Sequence, residues 1–291
     1  MSGAGSPKSA SRGGGAALLL APATLILVGG FLLPLADLGA QSLRQFTPGR
    51  VGVVADAPFT TDNYRELLNG AFGDVLLTTF WIGALAAAIS LCLAFPLAYA
   101  IVRRFSPRWR TLCIGAMITL VLSSILVKTY AIELTFGSVG ITRPLLIWLG
   151  VAPNGRATIE AVVIAGLVHA IVPVAVLTLI GAIQSIDPRL ADAAQSLGAP
   201  AWKAHLTITL PLARIPLTSS FLVSLTFAIS AFVIPMVLGR GRVLFMSNII
   251  YTRFSDIANY PSGAAVSLAM LAVSMLVIAL ISVANGRSAR A

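Results

Sequence analysis

Six apolar runs constrain this chain more than any other feature, at about 16–36, 76–102, 112–136, 159–184, 215–238 and 264–284. A helix needs about 20 residues to cross a hydrocarbon core of about 30 Å. Inside lipid every backbone N–H and C=O must find its partner within the protein, which restricts a spanning segment to helix or closed barrel. Runs of this length predict an all-α polytopic protein with six transmembrane helices in one membrane domain, residues 16–285. Composition agrees: 57% of the residues are apolar and 10% charged, against about 25% charged in soluble proteins.

The connections carry the remaining information. Residues 1–15 are rich in Gly and Ser and have nothing to pack, so a disordered cytoplasmic tail is expected there, with a second short tail at 286–291. The run at 16–36 exceeds the roughly 7–15 residues of a signal-peptide core and no A-x-A site follows, which favours an uncleaved first span. Segment 37–74 is polar enough to lie outside the membrane, where Thr61 or Asp62 is placed to cap a short surface helix. Between the second and third runs stand Arg103, Arg104, Arg108 and Arg110, and the positive-inside rule makes that loop, and with it both termini, cytoplasmic. Over the whole assignment the cytoplasmic side holds eleven Lys and Arg and the other side nine, so the dense loop carries most of the orientation. Pro96, Pro173 and Pro235 fall inside spans, where each removes a backbone hydrogen bond and permits a kink.

Several functional classes find no support. The net charge of +10 is scattered through loops rather than gathered on one face with aromatics, so nucleic acid is not an expected partner. Cys92 and Cys113 lie in apolar runs without a C-x-x-C neighbour and read as packed, reduced thiols. Lys8, Lys128 and Lys203 are the only lysines and none follows a glycine, so the chain has no phosphate-cradling loop of the G-x-x-x-x-G-K type. His169 and His205 show no metal-ligand spacing, and no Ser/His/Asp set is apparent; no catalytic residue, metal or cofactor is expected. His169 reads as a packed or path-lining histidine. Near the span edges, Glu133 and Glu160 are the carboxylates able to meet a cationic solute, or else to form structural ion pairs, with Lys128 five residues before Glu133. Tyr130 and Trp148 fit either a path lining or an aromatic belt.

Between the fourth and fifth runs the connection is nearly thirty residues long, more than a reversal of direction requires. Asp187-Pro188 is a helix-starting pair, residues 188–197 favour helix, and Gly198 is suited to end it in a left-handed conformation. Pro200 restarts the chain as a second short helix or turn that reaches Pro211. Ala191, Ala193 and Ala194 allow close backbone approach while Leu190 and Leu197 supply apolar contact, a surface suited to another protein's groove or to the membrane's own loops.

The stretch 192–211, "DAAQSLGAPAWKAHLTITLP", resembles the EAA loop of ATP-binding-cassette importer permeases. That pattern is E-A-A, three residues, Gly, nine residues, I-x-L-P; here Asp192-Ala193-Ala194, Gly198 and Ile208-Thr209-Leu210-Pro211 keep every spacing, with Asp in place of Glu. The resemblance implies a non-catalytic permease subunit whose 188–211 loop is a cytoplasmic coupling segment. Asp192, Ala193, Ala194, Leu197, Gly198, Pro200, Leu210 and Pro211 would dock on a partner ATPase dimer. It further implies a second, distinct permease chain, a periplasmic or tethered solute-binding protein and a bacterial inner-membrane location. "TDNYRELL" at 61–68, "VKTYA" at 127–131, "FVIPMVLG" at 232–239, "NIIYTRF" at 248–254 and "NYPSGAA" at 259–265 are similar to the spermidine/putrescine branch. Branches that carry opines, aminoethylphosphonate or ferric ion share such cues. The translocation path would then draw on Glu133, Tyr130 and His169. A secondary transporter or channel is the rival class; it predicts rings of charge or an inverted repeat, and no such repeat stands out.

Overall fold

The computed structural model describes residues 13–50, 52, 57–137 and 140–288. The tail expected at 1–15 therefore lies outside the described residues except for Gly13–Gly15, which already belong to the first helix, and of the tail at 286–291 only 286–288 are described, at the end of the last. Helix α1 (Gly13–Leu27) passes through a π turn into α2 (Leu33–Ser42), and a short α3 (Asp62–Leu67) follows. Then come the long α4 (Gly70–Arg103), α5 (Pro107–Leu122), α6 (Ile125–Phe136), the short α7 (Arg143–Trp148) and the long α8 (Arg156–Ser185). The connecting segment holds α9 (Arg189–Ser196), α10 (Ala201–Ala204) and α11 (Leu210–Leu212). The chain ends with α12 (Arg214–Ser230), α13 (Val233–Leu238), α14 (Met246–Tyr251) and α15 (Tyr260–Ser288). Among the described residues the only β pairing is a single bridge between Arg44 and Phe59.

Among the described residues four helices are long and apolar enough to cross a membrane outright, and two bent pairs, Pro107–Leu122 with Ile125–Phe136 and Leu206–Leu212 with Arg214–Ser230, bring the number to six if each pair is one span. The core is the parallel pair α4 and α8, crossed by α12. On α4 the buried positions are Thr79, Ile82, Gly83, Ala86, Ala87, Ser90, Ala94, Ala98 and Ile101, a three-to-four-residue period dominated by small side chains. Small residues let two helix backbones approach where lipid gives no hydrophobic drive for helices to associate. Against them α8 sets branched residues: Ile159, Val163, Leu167 and Ile171 at one end, Val176, Leu179 and Ile183 at the other.

Of the three proline signals only Pro235 marks a break: it lies in the first turn of α13 and has no N–H for the carbonyl of Ala231, four residues earlier. Helices α4 and α8 continue through Pro96 and Pro173, and Pro235 sits inside α13. The chain breaks at Ser123–Ser124, where α5 and α6 meet at 92°, bends by 59° at Ala213, and breaks again at Ala231–Phe232, between α12 and α13. At each break side chains donate to backbone carbonyls. Leu120 O accepts from Ser123 Oγ at 2.8 Å and from Lys128 Nζ at 2.7 Å. Ala231 O accepts from Ser247 Oγ at 2.7 Å and Phe232 O from Asn248 Nδ2 at 3.2 Å. Asn248 also closes the start of α14, its Oδ1 accepting from Phe245 N at 3.0 Å. Thr79 Oγ1 takes Met246 N at 3.1 Å, tying that start to α4.

Where α8 meets α13 the backbone comes close: a Cβ at Gly166 would stand 2.6 Å from Leu238 Cδ1 and 3.2 Å from Ile234 Cγ2, both on buried side chains. Gly166→Val is expected to destabilise the detergent-solubilised protein by about 1–3 kcal/mol through overpacking, seen as a lowered Tm; an unchanged Tm would show that α13 yields freely.

Candidate functional site

The segment between α8 and α12 forms one end of the bundle. Asp187 Oδ1 accepts the Arg189 N–H at 3.0 Å, satisfying one of the orphan donors of α9. The helix closes on Gly198 at φ +90°, with Gly198 N on Gln195 O at 2.9 Å and Ala199 N on Ala194 O at 3.1 Å. These two bonds are the Schellman pattern, which a left-handed residue makes possible. After Pro200 the chain winds through α10 and a π turn, His205–Thr209, into α11, which meets α12 at 59°.

One side of α9 faces inward: Ala191 is buried, as is Thr209 from the π turn. The other side is bare. Ala193, Gly198 and Pro200 are exposed, Ala194 is partly so, and Leu197 is 91% exposed, the most exposed large apolar side chain among the described residues. Leu190 is 46% exposed. Asp192 lies within α9, and its side chain falls outside what is described. Leu210 and Pro211 stand at the foot of α12, exposed and next to the 59° bend, away from the α9–Gly198 turn in sequence.

The three path candidates are not joined to one another by any hydrogen bond or ion pair among the described residues. Tyr130 and Glu133 lie one turn apart on α6, with Tyr130 53% exposed, and His169 is on an exposed face of α8. Glu133 has a partner that sequence reasoning missed. Its two oxygens accept from Arg240 Nε and Nη2, each at 3.0 Å, a bidentate fork on two largely buried side chains. Lys128, the neighbour considered for it, points back to Leu120 O instead. Arg240 also donates to Asn154 Oδ1 at 3.2 Å, and Arg242 donates to Asn154 O. Arg240 itself has φ +49°, between Gly239 and Gly241, and a Cβ at Gly239 would collide with the carbonyl oxygens of Val243 and Pro235. The "GRG" at 239–241 was the available signal: two glycines around an arginine directly after an apolar run.

A second pair lies in the loop regions of α3 and α14–α15. Glu66 accepts from Arg253 Nη2 at 2.5 Å and from Ser262 Oγ at 3.4 Å, while Arg253 stands 5.7 Å from the Phe72 ring centre. Asn63, beside it on α3, donates to Ser42 O at 2.8 Å and Arg44 O at 2.9 Å, closing the 43–61 loop onto α3. The helix starts at Asp62, and the hydroxyl that receives the Asp62 N–H at 3.1 Å belongs to Thr60, not to Thr61. Glu160, the other carboxylate considered, accepts from Arg156 Nε at 2.8 Å one turn earlier on α8. All three of these carboxylates thus face an arginine of the same chain.

Comparison with known proteins places this geometry. Residues 114–290 match the family model described as binding-protein-dependent transport system inner membrane component. The chain is 30% identical over 223 residues to the spermidine/putrescine transport system permease protein PotB of Haemophilus influenzae, covering 76% of this chain and 78% of that one. It is 28% identical to PotB of Escherichia coli (76% and 80% covered), and 25% identical to the inner membrane ABC transporter permease protein YdcU of the same species (87% and 83%). A solved bacterial alginate ABC transporter, in complex with an alginate pentasaccharide-bound periplasmic protein, has a chain that superposes with a TM-score of 0.71 over 93% of both chains at 17% identity, a likeness of fold. The chain belongs to the binding-protein-dependent transport system inner membrane component family and is an ABC importer permease subunit related to the spermidine/putrescine permeases.

Proposed function

We propose that this chain is one of two distinct permease subunits of an ATP-driven importer for polyamines, and that its 188–211 segment is the coupling element. The observation that carries the reading is the bare α9–Gly198 turn: an exposed helix of small residues ending in Leu197, at the positions that match the EAA spacing. In this reading that end of the bundle and both termini are cytoplasmic. A pair of ATPase chains holds the turn in a groove, with Leu197 as the apolar anchor and Gly198 fixing the direction in which the chain leaves. ATP closes the pair, the two coupling helices move, and the bundle changes the side to which it opens as a rigid-body transition. A solute-binding protein delivers cargo at the opposite end. The chemistry of hydrolysis stays on the ATPase chains, and this subunit transmits force.

The polyamine cargo is taken from the relatedness to PotB. Glu133 has a bracing role in this scheme: with Arg240 already on both oxygens, it fastens α6 to the 239–243 turn and offers no free charge to a cation. Tyr130 and His169 keep exposed faces and are the remaining candidates for the path.

Three results test the scheme. Gly198→Val forces a branched residue to φ +90°, a cost of about 1–2 kcal/mol, and should weaken co-purification of the ATPase about tenfold while the subunit still inserts; ATP-dependent uptake that survives deletion of residues 192–198 would sink the docking role. Glu133→Ala should lower Tm through the loss of about 1–3 kcal/mol, with partial recovery in the double variant with Arg240→Ala and no change in KM for spermidine. A raised KM with an intact Tm would return Glu133 to the path. Uptake in proteoliposomes with the matching binding protein should favour spermidine or putrescine over an opine, aminoethylphosphonate or ferric ion, and preference for any of the others reassigns the cargo.

A further inference from the structure

Arg103 closes α4, and its guanidinium reaches across to the end of α8. There Nη2 donates to Ile183 O at 2.8 Å and also to Ile186 O. Ile183 is in the last turn of α8 and Ile186 is the residue that leaves it in extended conformation, φ −81° and ψ +127°. One side chain from another helix therefore spans the point where the helix stops and the connecting segment begins. Carbonyls at a helix C-terminus carry partial negative charge and lack intrahelical donors, so a cation there is favoured on both counts.

The link from Ile186 to α9 is short and stiff. Asp187 caps α9 through its carboxylate, Pro188 is fixed at φ −60°, and α9 starts at Arg189. Tyr99, Arg103, Ile183, Ile186, Ala191 and Thr209 line one narrow crevice, with room for about one water. Ile183, Ala191 and Thr209 are buried in it. The ends of α4 and α8, the first turn of α9 and the π turn thus form one packed joint. Among the hydrogen bonds described, Arg103 is the side chain from α4 that holds a carbonyl on each side of the point where α8 ends.

We propose that Arg103 is the positioning residue that makes the α9 segment and the α4–α8 pair move as one body, so that displacement of α9 is passed to the spans rather than absorbed at Ile186. This rests on the coupling role assigned above to 188–211. Arg103 touches neither solute nor nucleotide in that scheme; it acts through the backbone it holds.

The test uses the complete transporter, with partner permease, ATPase and binding protein, in proteoliposomes where solute uptake and ATP hydrolysis are read in the same sample. Charge-assisted hydrogen bonds of this kind correspond to about tenfold or more in a conformational equilibrium. Arg103→Ala should therefore cut solute moved per ATP hydrolysed by about tenfold, with hydrolysis itself within about twofold of wild type. Arg103→Lys, which keeps the charge but has no planar fork for two carbonyls, should give an intermediate ratio. Uptake and hydrolysis falling together in proportion, or a wild-type ratio in Arg103→Ala, would overturn the proposal. A second measurement needs no ATPase: spin labels at the exposed positions Phe105 and Gln195, in the cysteine-replaced chain, should give a narrow distance distribution in wild type and a broad one in Arg103→Ala. Equal widths would overturn the brace even if the ATPase binds, and a wild-type chain that fails to hold the ATPase while the widths differ would count against the docking role alone.

Discussion

In an apolar medium a helix that breaks must replace its own hydrogen bonds, and the architecture of this chain depends on how it does so. Among the described residues two runs are broken in this way, and at each break a side chain supplies the missing donor: Lys128 and Ser123 at the first, and Ser247 at the second, where Pro235 has no N–H to give. Asn248 also starts α14, and the Met246 N–H beside it donates to Thr79 on α4, so the turn after α13 is fastened to the core next to the break. Half-spans become possible only because these groups stand where they do.

Around those breaks the fold has an uneven distribution of rigidity. The α4–α8 pair is dense, built of small side chains facing branched ones, and continuous over its full length despite a proline in each helix. The interrupted spans pack against it through glycine contacts such as Gly166 and Gly83. At one end the pair is joined to the α9 segment through Arg103, and near α6 and α13 the Glu133–Arg240 fork unites two half-spans. A transporter that changes shape by moving rigid parts needs a stiff centre with defined attachments, and these are the attachments.

Run length and the near absence of charge made the helical membrane class legible, because hydrocarbon thickness acts on every residue of a span at once. The α9–Gly198–Pro200 geometry was legible too, since a helix start, a left-handed stop and a restart are each written by one or two residue types. The break at Ser123 was not. Proline is a local signal: packing against a neighbouring helix carried Pro96 and Pro173 through, and only Pro235 marks a break, at Ala231, whereas Ser123 breaks with no proline and with Lys128 as the donor to Leu120 O. Arg240 was missed for a related reason: its carboxylate is 107 residues away, and pairing at that separation has no periodicity to read. Lys128 was the nearer candidate for Glu133 in sequence and the wrong one in space.

Leu197 has a consequence for the life of the chain before it joins anything. A leucine 91% exposed at a tip of small residues is adhesive in water, and no other described residue covers it. A copy synthesised without companions would present the same patch to chaperones, to proteases and to other copies of itself. In the docking role proposed above, the feature that suits the turn to a groove also ties the safe abundance of the subunit to the supply of something that fills the role of that groove, making stoichiometry a condition of its stability in the cell.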